Sequence, residues 1–347
     1  MEPGIEKTQR VVYFDALRVF ASFAVMLLHL AAQHWADVPV DGEVWRAFNV
    51  WDALVRWCVP VFVMISGALF LARPIPLRKL YGKHIARIAA AFVFWSGLYA
   101  LVSARRYDMT VPQLVVEWIQ GHYHLWFLYM IAGLYLVTPL LYRLTQSEES
   151  ARYFLLLAFV FGFLLPELLP LLALHSPRLG GALNAALGYA DLRFVGGFSG
   201  YFVLGHRLNR RTLNRREETA IYVLGVLGLL FTALGTRALS VHTGASNSLL
   251  YGYCTVNVLA EAAAVFTLFK QHVRSTSRLL GALSGASFGA YLIHALFLDT
   301  LQFRFDVDTL SFPAQFSVPL LAAAVFVLSY AASYLLGKVP LIKDYLI

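Results

Sequence analysis

Apolar runs of roughly 20 residues recur from one end of the chain to the other, at 12–34, 50–71, 84–103, 122–142, 153–174, 187–208, 219–239, 249–270, 283–303 and 315–337. Each is long enough to cross a hydrocarbon layer about 30 Å thick as a helix. The runs are continuous and lack the period-2 alternation of barrel strands, and lipid leaves no backbone group unpaired, so only helices fit. The fold class predicted is therefore all-α, a polytopic integral membrane protein of about ten transmembrane helices. No interval between runs is large enough for a soluble core, so residues 1–347 read as a single transmembrane domain with no separate soluble domain.

Composition agrees with the pattern. Hydrophobic residues make up 59% of the 347 and charged residues 14%, against roughly a quarter charged in soluble domains; mean hydropathy is +0.65. A net charge of +8 raises the question of a nucleic-acid partner, and the placement of that charge answers it. With the N-terminus in the cytoplasm, Lys7, Arg10, Arg73, Arg78, Lys79, Lys83 and Arg87 fall on the inner side. So do the Arg207–Arg216 cluster, Lys270, Arg274, Arg278, Lys338 and Lys343. The outer side holds fewer: Arg46, Arg56, Arg105, Arg106, Arg178, Arg193, Arg237 and Arg304. Both termini are thus predicted to be cytoplasmic, and positive-inside bias accounts for the basic balance, so the expected partners are membrane lipids and no nucleic acid. The first run is longer than a signal-peptide core, carries Asp15 and Arg18, and lacks a small-x-small cleavage site, which makes it an uncleaved span. Cys58 and Cys254 lie inside apolar runs without a C-x-x-C spacing, so neither a disulfide framework nor a metal knuckle is predicted.

Polar residues inside these runs carry the chemistry. Arg18 and His29 are eleven positions apart, which on a helix returns to within about 20° of the same face, roughly 16 Å along the axis. Asp15 and Ser22 complete the stripe. An arginine near mid-span costs roughly 2.5–3.5 kcal/mol to insert, which argues for a paired or liganded role; an Asp15–Arg18 pair that only fixes helix packing is the plain alternative. His29, near the outer side, suits a general base acting on a hydroxyl. In the second run Pro60 should loosen the helix, while Ser66 and Gly67 permit close helix contact at the inner end. The basic segment that follows, with Lys83 and Arg87 one turn apart and Arg78 close by, either anchors the chain at the cytoplasmic surface or grips the phosphates of an anionic donor.

Further along, His122-Tyr123-His124-Leu125-Trp126 opens the fourth run. An aromatic belt explains the rings without function, while ring stacking and imidazole hydrogen bonds suit a sugar; no metalloenzyme spacing accompanies the histidines. Gly285-Ala286-Ser287-Phe288-Gly289 and His294…Asp299 formally match hydrolase patterns, but a nucleophile elbow needs a preceding strand, and no histidine follows Asp299. Ser287 reads as a helix-start residue. On a helix, His294 and Asp299 point about 140° apart. His294 falls near mid-membrane, as does Glu261 with Asn257 one turn before it; Glu261 is either protonated, paired with a base or part of a proton path.

Taken together, Arg18 with His29, Val59-Pro60 with Ser66-Gly67, the Lys83–Arg87 start of the third run, His124-Leu-Trp-Phe-Leu, Gly200-Tyr-Phe-Val-Leu-Gly205 and Phe288-Gly-Ala-Tyr-Leu-Ile-His294 resemble the bacterial acyltransferase 3 membrane family, over nearly the whole chain. More narrowly they resemble its surface-polysaccharide O-acetyltransferase branch, which includes the enzyme acetylating enterobacterial common antigen. The resemblance implies a multi-pass protein of the bacterial inner membrane that transfers an acyl group, commonly acetyl, from acetyl-CoA to a hydroxyl of a periplasmic or lipid-linked glycan, with acyl-CoA as a substrate and no permanently bound cofactor. It assigns function to the arginine and histidine at Arg18 and His29. Many relatives add an extracytoplasmic esterase-like domain; without one, this chain is expected to complete the transfer alone or hand the acyl group to a partner. On this reading His29, Arg18 and Asp15 are catalytic, and Lys83, Arg87, Arg78 and Ser66 bind the donor. His124, Trp126 and Arg56 bind the acceptor, and His294 and Glu261 lie along the acyl path. A secondary transporter or lipid-linked sugar flippase, with Arg18 binding an anion and His29 or Glu261 relaying protons, is the competing class; its usual inverted repeat is not evident.

Overall fold

The computed structural model describes residues 11–189 and 196–347, which leaves Lys7, Arg10 and Arg193 outside the described residues. In chain order its helices are α1 (Val12–Ala32), α2 (Glu43–Val55), α3 (Cys58–Phe70), α4 (Leu77–Lys79), α5 (Ala86–Tyr107), α6 (Val111–Gln120), α7 (Trp126–Leu144) and α8 (Glu148–Leu157). They continue with α9 (Leu165–His175), α10 (Pro177–Tyr189), α11 (Gly197–Arg210), α12 (Arg215–Thr243), α13 (Val256–His272), α14 (Arg278–Phe305), α15 (Ala314–Leu336) and α16 (Pro340–Tyr345). No strand occurs among the described residues.

Nine helical stretches among the described residues are long and apolar enough to cross a membrane, and they coincide with nine of the ten expected runs. The tenth, 187–208, contributes α11, which at 14 residues spans only about 21 Å. It still runs from one side of the bundle to the other. Its Gly197 meets Cys254 at the outer end of α13, and its Asn209 accepts a 2.6 Å hydrogen bond from Tyr13 at the inner end of α1. A helix shorter than the bilayer is tolerated here because protein encloses it: most of α11 is buried.

That enclosure depends on glycine. A Cβ at Gly67 of α3 would collide with the Phe202 carbonyl of α11, and one at Gly205 would collide with the backbone of Met64, so the two backbones touch. The close contact expected at Ser66-Gly67 is present. Just upstream, the expected loosening at Pro60 appears as a break at Arg56-Trp57 between α2 and α3. Proline has no N–H to return to the Arg56 carbonyl four residues back, so the turn opens there.

α1 is the hub. It packs against α2, α3, α13, α14 and α15, and 67% of its spanning window is buried, against 22% for α12. Val223, Leu224, Val226, Leu227 and Leu234 on α12 are exposed, and in a membrane that apolar surface meets lipid. Two π-helical turns, Leu80–Ile85 and Ala158–Leu164, interrupt the third and fifth spans. The first widens the helix at Lys83 and His84, at the end of the bundle that carries Asp15 and Arg18.

Candidate active site

α1 carries Asp15, Arg18 and His29 on one face, as its periodicity requires. Asp15 is buried and accepts a 2.6 Å hydrogen bond from Ser284 of α14, while its carboxylate lies 3.8 Å from Arg18. That contact ties the inner end of α1 to α14 and holds Arg18 with its side chain 30% exposed. Ser22 of the same stripe spends its hydroxyl on the Arg18 carbonyl, 2.9 Å away.

Arg18 stands where two cavities meet. The inner one, about 760 Å³, is lined by Arg73, Lys79 and Lys83 with Asp15, His84 and the Ala72–Pro76 loop. The outer one, about 380 Å³, shares Arg18, His84, Ser284 and Gly285 with it and extends to His29, His124 and Trp126. Its walls include Phe62 and Ser66 of α3, Ile131 and Tyr135 of α7, Tyr253, and Ser287, Phe288 and Tyr291 of α14. A basic vestibule thus leads into a mostly apolar passage that ends at an imidazole.

Most of the sequence-predicted residues gather along this passage. Lys83 lines the vestibule, and Arg87 and Ser66 line the passage. The π turn separates Lys83 and Arg87 between the two chambers, where an α-helical turn would stack them on one face. Arg87 also donates to the carbonyl of Ile347, with its guanidinium 5.5 Å from the Phe288 ring. Ser66 bonds the Phe62 carbonyl at 2.9 Å. Arg78 is exposed and lines neither chamber. At the outer end, Trp126 lies against Tyr253 (5.6 Å, 25°) and near Phe198 (5.8 Å), so much of its surface is already covered by neighbouring rings.

Arg56 and Glu261 also line neither chamber. Arg56 lies outside the passage lining, in a buried pair with Asp52: Nε donates to Oδ1 and Nη2 to Oδ2 at 2.6 Å. Its Nη1 donates to the Tyr251 carbonyl at 3.1 Å, and its guanidinium covers the Tyr251 ring at 4.2 Å. Glu261 is buried between α12 and α13, with Oε1 2.5 Å from the Thr232 hydroxyl; Asn257 donates to that hydroxyl at 2.7 Å and to the Leu250 carbonyl at 2.8 Å.

The outer end of the passage gathers more imidazoles than the sequence pattern indicated. His294 of α14, fully buried, lies 5.2 Å from the His29 ring at an interplanar angle of 23°, and 4.9 Å edge-on from His124. His122 and His124 approach at 3.1 Å between their Nδ1 atoms. Asp299 stands 3.6 Å from His122 and 3.7 Å from Arg106. His294 and Asp299 diverge on α14 as their spacing predicts, yet the 121–125 loop bridges them. In that loop, outside the spanning helices, burial and then the Arg106 charge push the His122 imidazole down to about 4. Among the described residues no three His, Cys, Asp or Glu side chains converge as metal ligands.

Ser287 corrects a reading. α14 begins at Arg278, so Ser287 is not a helix-start residue; it lies well inside the helix, bonds the Ser284 carbonyl at 2.8 Å and lines the passage. Ser284, Ser287, Phe288 and Tyr291 recur at helical spacing. That periodicity was the available signal for an α14 wall, and it passes unnoticed when each residue is read singly.

Compared with known protein families, residues 11–338 match the acyltransferase 3 family, described as an acyltransferase domain. No curated protein and no solved structure matches the chain.

Proposed function

We propose, from the premise that this chain belongs to the acyltransferase 3 family and is a membrane acyltransferase, that it moves an acetyl group from cytoplasmic acetyl-CoA to a hydroxyl of a periplasmic or lipid-linked surface glycan at the bacterial inner membrane. The observation that carries this reading is the joined pair of cavities, basic at one mouth and ending at His29. The vestibule of Arg73, Lys79, Lys83 and Arg18 suits the nucleotide phosphates of the donor. A slender pantetheine arm suits the apolar passage beyond, whose 380 Å³ sits near the lower end of small-ligand sites and leaves little room for a sugar as well.

On this reading the separation of Arg18 from His29 is spanned by the donor. Arg18, held by Asp15, grips the arm at the junction of the chambers and fixes its depth, so that the thioester lies at the outer end. The acceptor hydroxyl arrives past Trp126 and His124. His29 takes its proton as the oxygen bonds to the thioester carbon, the C–S bond breaks, and the thiolate leaves and is protonated. Lys83 and Arg87 act from either side of the π turn, the first on phosphates, the second along the arm.

The test is transfer of labelled acetyl from acetyl-CoA into membrane glycan, comparing Arg18→Ala and His29→Ala with the wild type at equal folded protein. His29→Ala should lower kcat by about 10²-fold or more, and Arg18→Ala should raise KM for acetyl-CoA. Full activity in both variants refutes the assignment.

A further inference from the structure

His29 is one member of a buried imidazole group that extends beyond the passage. His294 has its Nδ1 2.5 Å from the Tyr291 carbonyl, so Nδ1 carries the hydrogen and Nε2 is left as a bare acceptor. That Nε2 is buried and has no hydrogen-bond partner, and the same is true of His124 Nε2. A buried imidazole nitrogen without a partner costs folding energy and calls for a reason. Here two such atoms sit on rings in edge contact, beside His29.

The rest of the group is held in place. Tyr99 stacks on His122 at 4.4 Å and 13° while its hydroxyl is fixed to the Leu292 carbonyl at 2.8 Å. Tyr291 donates to the His124 carbonyl at 2.6 Å. From His124 the contacts run to His122 at 3.1 Å and from His122 Nε2 to Asp299 at 3.6 Å, beside Arg106 near the outer end of α5.

We propose that this chain, His29 to His124 and His294, then His122, then Asp299, carries the hydroxyl proton of the acyl-transfer step to the outer aqueous phase. The proposal rests on the acyl-transfer reading above. Both Nε2 atoms are closed to water, so the inner step needs a ring rotation that brings one of them to His29, across the 5.2 Å contact of His29 with His294 or through the 4.9 Å contact of His294 with His124. A shift of a few tenths of an ångström brings His122 Nε2 into hydrogen-bond range of Asp299 for the outer step. The balance is complete: the acceptor O–H gives its proton to His29 and thence outward, the C–S bond breaks, and the thiolate leaves on the donor side and takes a proton from cytoplasmic water. Each turnover then takes up one proton inside and releases one outside.

The groups that face His29 are His294 from α14, Tyr123, His124 and His122 from the loop before α7, Cys58 from α3, and Tyr253 ahead of α13. The Arg56 charge also acts on it, from the end of α2 and paired with Asp52. Of these, the loop residues continue toward Asp299: the two histidines and Tyr123, whose hydroxyl also feels the Asp299 charge.

The experiment uses inverted membrane vesicles bearing the full chain and native glycan, with labelled acetyl-CoA outside and saturating, and with luminal and external pH set independently. The wild-type rate should follow luminal pH and change little with external pH. His122→Phe, which keeps the stack on Tyr99, and Asp299→Asn should each lower kcat by about tenfold or more, flatten the luminal pH profile and leave KM for acetyl-CoA unchanged. Variants that keep the wild-type luminal profile, or a wild-type rate that tracks external pH alone, overturn the route. No incorporation by the wild type overturns the acyl-transfer reading and the route with it.

Discussion

Replacing Arg56 with methionine separates a structural arginine from a ligand-binding one. Asp52 is fully buried, and both of its carboxylate oxygens accept from Arg56. Removing the guanidinium strands that carboxylate inside the bundle, leaves the Tyr251 carbonyl without its 3.1 Å donor, and removes the cation from the Tyr251 face. Breaking a buried pair from one side costs about 3–5 kcal/mol, roughly 10²–10⁴ in the folded ratio. Removing both charges should cost far less, because the desolvation penalty leaves with them, so the Asp52→Leu/Arg56→Met double variant should recover most of the loss. Denaturation in mixed detergent micelles, run as a double-mutant cycle, measures the coupling. At equal folded protein, Arg56→Met should leave KM for the acceptor unchanged. If Arg56→Met unfolds like the wild type and raises that KM instead, Arg56 belongs to the acceptor site as its position in the sequence indicated, and the structural account of the pair falls.

The helix contact at Gly67 gives a second prediction: Gly67→Ala should cost about 1–3 kcal/mol, because the Phe202 carbonyl cannot move without α11, whereas Gly82→Ala, with open space around it, should be near neutral in the same thermal assay. In the Glu261 cluster, the single Thr232 hydrogen serves either the Gly228 carbonyl at 2.9 Å or Glu261 at 2.5 Å. Glu261→Gln, whose amide can donate to Thr232, should therefore be tolerated within about 1 kcal/mol, and Thr232→Val should cost about 1–3 kcal/mol by stranding Asn257 and Glu261. At the outer surface, partial burial alone would raise the Asp308 carboxyl, but the Leu310 amide at 2.8 Å, His34 at 3.0 Å and Ser311 bring it below its ordinary value. Its contribution to loop stability is then full above the ordinary carboxylate value near 3.9 and lost as pH falls through the lower folded value. Amide exchange at Leu310 should speed up across that acid window in the wild type and show no such step in Asp308→Asn.

The spans were legible because lipid imposes one rule on every helix, a run of apolar residues of fixed length, and that rule is local. It fails at α11, where protein replaces lipid and a 14-residue helix suffices. The site was legible on α1, since Asp15, Arg18 and His29 share one helix and periodicity alone aligns them. It was not legible where it depends on tertiary placement. Arg56 was read by its charge at the outer end of a span, and its partner Asp52, one turn earlier on the same helix, turns it away from the passage. Asp299 was set aside because it diverges from His294 along α14, yet the loop carrying His122 and His124 joins them. No local pattern encodes a loop folding back between two helices.

The distance between Arg18 and His29, about three helical turns, is then best understood as a consequence of the membrane. On the proposed acyl-transfer reading, a donor arriving through the basic vestibule and an acceptor arriving from the opposite side must meet at one point, and a charged vestibule cannot be moved to mid-bilayer without desolvating its cations. Extending a narrow apolar passage from the cations to the base costs less, because its walls are the ordinary side chains of α1, α3, α7 and α14. On the proposed reading, a donor filling the passage would also exclude water from its thioester, which would strengthen every charge interaction at the reacting atoms. A filled passage would then close the inner route to a proton on His29, and the histidines on the far side are the exit that the proposed relay gives it.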